Sequence, residues 1–120
     1  MEILAWNCRG LNNDQAIQVL HTLIRQKKPY FIFLSETKVH DREYMNVVRL
    51  GIGYRYCETG YSVGQSGGVA LFWKEGFDVR FLSKSKNHVD VEVFSTDGSG
   101  IRWRLTGFYG NPSAVDRRQS

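Results

Sequence analysis

Apolar and polar positions change their period about halfway along the chain. Residues 2–6 read as a short strand and run into a turn through Gly10, Asn12 and Asn13. Beyond it Ile17, Leu20, Leu23 and Ile24 recur at helical spacing to about Lys28. Asn13 or Asp14 stands where an N-cap belongs, because a short polar side chain can accept from the first unpaired helix N–H groups. Pro29 cannot continue a helix. Tyr30-Phe31-Ile32-Phe33-Leu34 follows it as a continuous apolar run, the pattern of a parallel strand covered on both faces. Strand, helix, strand in this order predicts a βαβ unit. Asp41 is placed to cap a second helix running through Leu50, with Tyr44, Met45 and Val48 on one face and Gly51 and Gly53 at its end.

From Tyr54 onward the period falls to two. Residues 54–58, 68–74, 77–83, 88–95 and 101–109 read as strands. Val89, Val91 and Val93 alternate with Asp90 and Glu92, and Ile101, Trp103 and Leu105 alternate with Arg102 and Arg104. Joined by Thr96-Asp97-Gly98-Ser99-Gly100, these two strands predict a hairpin with one apolar and one salt-bridging face. The expected fold class is therefore α/β (α+β): two helices and one mixed sheet with a βαβ start and a C-terminal β-meander. No repeat or linker divides residues 1–120, so a single domain is expected.

Composition narrows the classes. A chain of 120 residues, 42% hydrophobic and 23% charged, can bury one core and is neither a disordered tail nor a collagen-like segment. No apolar run approaches the ~18 residues of a membrane span, and the opening Met1–Asn7 lacks the basic and apolar regions of a signal peptide. An intracellular protein of nucleus or cytoplasm, with no membrane partner, is the expectation. Cys8 and Cys57 are too few and too far apart for a disulfide framework or a zinc site, and read as free thiols. The net charge of +4 is spread evenly, with eight basic and six acidic residues in each half. Such a surface permits a nucleic-acid partner without demanding one.

Candidate chemistry follows from the βαβ unit. Asn7 and Glu36 each lie just past the C-terminal end of a parallel strand, where open α/β sheets place their ligands. If those strands are neighbours, ~4.8 Å apart, the two side chains can converge. A carboxylate beside an amide suits Mg²⁺, a hard cation that takes one or two protein carboxylates and completes its shell with water and phosphate. An Asn after a strand is also a common turn former, and a Glu there is often merely solvated. Gly67-Gly68 reads as a close backbone approach or a bulge, since no phosphate-cradling helix with a Lys-Ser/Thr pair follows. Trp73, Trp103, Phe72 and Phe108 lie within apolar strands and read as core. His21, His40 and His88 read as structural or surface residues.

Four segments resemble a known family. Trp6-Asn7-Cys8-Arg9-Gly10-Leu11, Leu34-Ser35-Glu36-Thr37-Lys38, Ser66-Gly67-Gly68-Val69-Ala70-Leu71-Phe72-Trp73 and Leu105-Thr106-Gly107-Phe108-Tyr109-Gly110 are similar to the opening half of an endonuclease/exonuclease/phosphatase domain. The likeness is greatest to the apurinic-endonuclease-like domain of plant LINE-type retrotransposons. It implies half of a DNase I-like four-layer sandwich, a Mg²⁺-dependent endonuclease ancestry and DNA as partner. It places Asn7 at the family's active-site asparagine, Glu36 at its magnesium-binding glutamate and Tyr109 at the tyrosine that contacts the scissile phosphate. Asn111 falls in a loop that approaches DNA, although Gly110-Asn111-Pro112 departs from the commoner pattern. Arg9 and Lys38 neighbour the site as candidate phosphate contacts.

The family's later Gly-Asp-Phe-Asn and Ser-Asp-His motifs do not occur in this sequence. Weak Mg²⁺ binding and impaired catalysis are the resulting expectations, with a non-catalytic interaction or dimerisation module as the alternative. A half-fold would also leave an apolar sheet face open on strands 68–74, 89–94 and 101–108, which predicts a homodimer.

Overall fold

The structure is a computed structural model that describes residues 2–64 and 66–109. In chain order its elements are β1 (Ile3–Asn7), α1 (Asp14–Lys27), β2 (Phe31–Ser35), α2 (Arg42–Ile52), β3 (Tyr56–Gly60), β4 (Val69–Trp73), β5 (Phe77–Ser85), β6 (His88–Ser95) and β7 (Arg102–Phe108). Both helices begin where their caps require. The Asn13 side chain accepts from the Ala16 N–H at 2.7 Å, and that of Asp41 accepts from the Glu43 N–H at 2.9 Å. Gly53 closes α2 with φ of 79°, a left-handed conformation that glycine adopts without a Cβ clash.

β1 and β2 pair in parallel with Asn7 opposite Ser35, which completes the βαβ unit. β4 then inserts antiparallel between β2 and β3, giving a mixed sheet of order β1-β2-β4-β3. The expected single sheet is corrected here, because β5, β6 and β7 form a separate antiparallel sheet. The reason lies in β2 and β4, which are buried at every residue and so need cover on both faces. The helices supply one cover: Leu20, Met45 and Val48 pack with Ile32, Leu34, Ala70 and Phe72. The meander supplies the other: Val89, Val91, Val93 and Leu105 pack with Phe31, Phe33, Val69, Leu71 and Trp73. Three layers result, helices on mixed sheet on antiparallel sheet.

This arrangement also corrects the expected open apolar face. Val69, Val89, Val91 and Val93 are fully buried within the one chain, so the surface that motivated a homodimer is already covered. Close approach of the layers depends on Gly107, where a Cβ would stand 2.3 Å from the Phe33 ring. The outer face of the second sheet carries the ion pairs that alternation predicted, among them Asp90 with Arg104 and Glu92 with Arg102. Among the described residues no helix is long and apolar enough to cross a membrane.

Candidate active site at the strand ends

Backbone pairing continues past the ends of β1 and β2 and locks two loops together. The Cys8 N–H donates to Ser35 O at 3.0 Å, that of Gly10 to Glu36 O at 2.7 Å and that of Leu11 to Thr37 O at 3.0 Å. A third loop closes over them, with the Thr37 and Lys38 N–H groups donating to Gly68 O and Gly67 O at 2.9 and 3.1 Å. Gly68 has φ of 98°, and a Cβ there would lie 2.5 Å from Thr37 Oγ1, so only glycine fits this crossing. The paired glycines were the sequence signal for it.

Strain collects at the same place. Among the described residues the non-glycine residues with positive φ are Arg9 (52°), Glu36 (53°), Lys38 (55°) and Lys28, the last being the C-cap of α1. The other three all belong to the candidate site. Left-handed backbone at residues with a Cβ costs on the order of 1 kcal/mol each and persists where surrounding bonds over-determine it.

Those bonds aim the side chains. The Arg9 N–H donates to Asn7 Oδ1 at 3.2 Å, which fixes the amide so that Nδ2 donates to Glu36 Oε2 at 3.3 Å. Tyr109, just beyond β7, is held by its own N–H donating to Asn87 O at 2.7 Å. Its hydroxyl donates to the same Glu36 Oε2. The structure thus brings Asn7, Glu36 and Tyr109 together from β1, β2 and the second sheet. Both hydrogen bonds reach Oε2, and among the described residues none reaches Oε1.

The electrostatics follow from this geometry. The Tyr109 hydroxyl, with smaller help from the Asn7 amide, Lys38 and Arg9, holds the Glu36 carboxyl below its ordinary range despite an opposing desolvation cost. The same bond to Glu36 pushes the Tyr109 phenol up. At neutral pH the pair is a carboxylate and a protonated phenol. Arg9 and Lys38 act on Glu36 through space, with no ion pair to it. Asn111 lies outside the described residues.

Cys8, one residue after Asn7, is buried, and burial pushes its thiol up to about 11. It stays neutral and donates from Sγ to Ser35 O at 3.3 Å, so it props the loop rather than reacting. Sequence reasoning missed this role, and that of the Asn87 carbonyl, because backbone acceptors leave no residue-type signal. The histidines stand elsewhere: His40 bonds Ser62, and His88 bonds Ser83 and Ser85.

The donor set fits a hard cation in part. Among the described residues Glu36 Oε1 accepts no hydrogen bond, and the Asn7 amide holds the carboxylate's other oxygen. A single carboxylate is within the range Mg²⁺ accepts when water and phosphate complete its shell. Among the described residues no group of three His, Cys, Asp or Glu side chains gathers anywhere that could hold a metal by protein ligands alone.

The sequence profile of the endonuclease/exonuclease/phosphatase family matches residues 4–118. The chain belongs to that family. Members of the endonuclease/exonuclease/phosphatase family are generally metal-dependent. Among solved structures, the AP endonuclease LMAP from Leishmania major superposes with a TM-score of 0.69 at 18% identity, covering 98% of this chain and 44% of that one. The APE2 catalytic domain from Xenopus laevis superposes with a TM-score of 0.56 at 19% identity, covering 98% and 48%. At these identities the likeness establishes the fold, and the chain spans less than half the length of either relative. A search of curated proteins returns no match. The α/β fold with two helices, a mixed sheet and an antiparallel sheet is that of part of a DNase I-like nuclease domain.

Proposed function

We propose that this chain carries the metal- and phosphate-binding part of a Mg²⁺-dependent phosphodiesterase site that acts on DNA. The observation that carries the reading is the Glu36 carboxylate, fixed through Oε2 by Asn7 and Tyr109, with no bond to Oε1 among the described residues and with the charges of Lys38 and Arg9 acting on it through space. Glu36 would be the metal ligand, and a bound Mg²⁺ would neutralise charge on the phosphate. Arg9 and Lys38 attract and position the anionic backbone. Asn7 orients the carboxylate, and the Tyr109 hydroxyl is a neutral donor able to turn from Glu36 to a phosphate oxygen.

Cleavage needs more than this. A phosphodiester requires an activated nucleophile and a stabilised leaving group, and among the described residues no histidine bonds Glu36, Asn7 or Tyr109. The chain by itself is therefore a binding platform with impaired catalysis. The narrower reading as a plant LINE-type domain is supported by the four sequence motifs. Dimerisation through an open sheet face is not proposed, since that face is covered.

The test is fluorescence anisotropy of a short labelled DNA duplex with and without Mg²⁺, alongside nicking of supercoiled plasmid. Mg²⁺ is expected to tighten duplex binding, and Glu36→Ala to remove the increment. Binding that ignores both Mg²⁺ and Glu36→Ala would overturn the assignment.

A further inference from the structure

A concavity that Glu36 does not line lies between α2 and β3, walled by β5. Its volume is about 490 Å³, the size of a small-ligand site. β3 is two strand spacings from β2, the strand that ends at Glu36, about 10 Å across the sheet, and none of Asn7, Glu36, Tyr109, Arg9 or Lys38 lines the cavity. Its polar wall is a stripe of α2: Arg42, Asn46 and Arg49 follow at spacings of four and three, which aligns them on one helical face.

Charge in the cavity is unbalanced. Arg42, Arg49 and Lys84 face a single carboxylate, Glu58, and Lys84 already pairs with it at 2.9 Å. Among the described residues neither arginine pairs with a carboxylate. Arg49 is nonetheless rigid. Its Nε and Nη2 donate to Asn46 Oδ1 at 3.1 and 2.7 Å, and Nη1 donates to the Tyr54 and Arg55 carbonyls at 2.9 and 3.1 Å. All those acceptors are neutral, so a full positive charge stands fixed at the wall, with one N–H unused among the described residues. A guanidinium already ordered loses little further entropy when an anion arrives.

The remaining wall is suited to something larger than an inorganic anion. Met45 and Cys57 give it an apolar floor, and burial pushes the Cys57 thiol up to about 11, so it adds no negative charge. Tyr61, half-buried, lines the cavity as its aromatic residue, the side-chain type on which bases stack.

We propose that this cavity binds a nucleoside phosphate, with Arg42 and Arg49 on the phosphate and Tyr61 against the base. The phosphate could belong to a free nucleotide or to a nucleotide within a nucleic-acid strand. Isothermal titration of the full chain separates the sources, with adenosine diphosphate in one arm and a short single-stranded oligonucleotide in the other. Both are run in a Glu36→Ala background, so that failure here is distinct from failure of the strand-end site.

Arg42→Gln is expected to weaken whichever ligand binds by about tenfold, the loss of one charge-assisted contact, and Arg42→Lys to recover part of it. Tyr61→Ala should weaken the same ligand further. Arg42 is exposed and makes no hydrogen bond among the described residues, so its replacement leaves the fold intact by circular dichroism. Saturable binding of the oligonucleotide alone would assign the cavity to a strand, and of the free nucleotide alone to a small ligand. Absence of binding in both arms, or binding indifferent to Arg42→Gln and Tyr61→Ala, would overturn the proposal.

Discussion

Glu36 and Asp90 are both carboxylates held below their ordinary range, yet their surroundings differ in kind. Asp90, 4% exposed, is saturated: Arg104 bonds both its oxygens, and the Thr106 hydroxyl adds a bond to Oδ1 at 2.9 Å. The Arg104 hydrogen bond is the main reason its carboxyl stays ionised. Glu36 is held mainly by the neutral Tyr109 hydroxyl, on one oxygen only, with Arg9 and Lys38 near but unpaired. A carboxylate closed off by its own cation staples two strands together. One steadied by neutral donors keeps its charge available to a ligand.

That contrast breaks if Glu36→Ala and Asp90→Ala behave alike. Glu36→Ala is expected to lower Mg²⁺-dependent duplex affinity roughly 10- to 100-fold, as loss of a metal-site group commonly does, with little change in urea stability. Asp90→Ala should do the reverse. Removing a buried acceptor that bonds a charged donor and a hydroxyl costs about 2 kcal/mol, seen as a lower urea midpoint at unchanged slope. Its duplex binding should match wild type. Arg104→Ala is expected to destabilise as well, since it strands Asp90 beneath the sheet surface without its cation.

The reach of the sequence differs between these regions for physical reasons. Local signals were legible: Asn13, Asp41 and Gly53 mark helix ends because capping needs those residue types, and the Val89–Val93 alternation marks which side of β6 faces inward. Convergence of Asn7 and Glu36 was legible only on the condition that β1 and β2 are neighbours, and the parallel register with Asn7 opposite Ser35 meets that condition. The arrival of Tyr109 was not, since nothing in spacing says that β7 crosses over β2; only the resemblance placed it there. The split into two sheets escaped for a related reason. Runs such as Phe31–Leu34 announce burial on both faces without naming what covers each. Sequence reasoning marked only Tyr44, Met45 and Val48 on α2; the stripe of Arg42, Asn46 and Arg49 becomes a wall only through packing against β3.

Acid sharpens the comparison by titrating both groups. Each folded-state pKa is depressed, so each contributes stability that is complete above its unfolded value, about 3.9 for Asp and 4.3 for Glu, and lost as pH falls through the lower folded value. The stability gap between wild type and Asp90→Asn should therefore narrow as pH drops below about 4. Glu36→Gln should show the same sign with a smaller gap, because its carboxylate is part-exposed and water screens its interactions. Asp97 is held to about 2 by Ser95 and Ser99 at an exposed turn and titrates in the same direction in all three proteins, so it cancels from the differences. Urea titrations at a series of pH values check this. A gap for Asp90→Asn that stays constant into strong acid would show that the pair with Arg104 does not hold the carboxyl ionised.

The smallest effect isolates the bond that distinguishes the two sites. Tyr109→Phe removes one hydroxyl and keeps the ring, so its packing against the apolar cluster between the sheets is undisturbed and stability should change little. Glu36 loses the largest influence holding its carboxyl down, while Asn7, Lys38 and Arg9 remain. Its titration midpoint should therefore rise toward the ordinary glutamate value, and carbon NMR of the Glu36 carboxyl against pH reads this directly. Asn7→Ala should raise it less, as the weaker of the two donors. Asp90, on the far face of the second sheet, should titrate identically in all three proteins. A Glu36 midpoint unmoved by Tyr109→Phe would mean that the cations rather than the phenol hold it ionised. Glu36 would then be as closed to a ligand as Asp90, and the distinction between a stapling carboxylate and an available one would fail at its source.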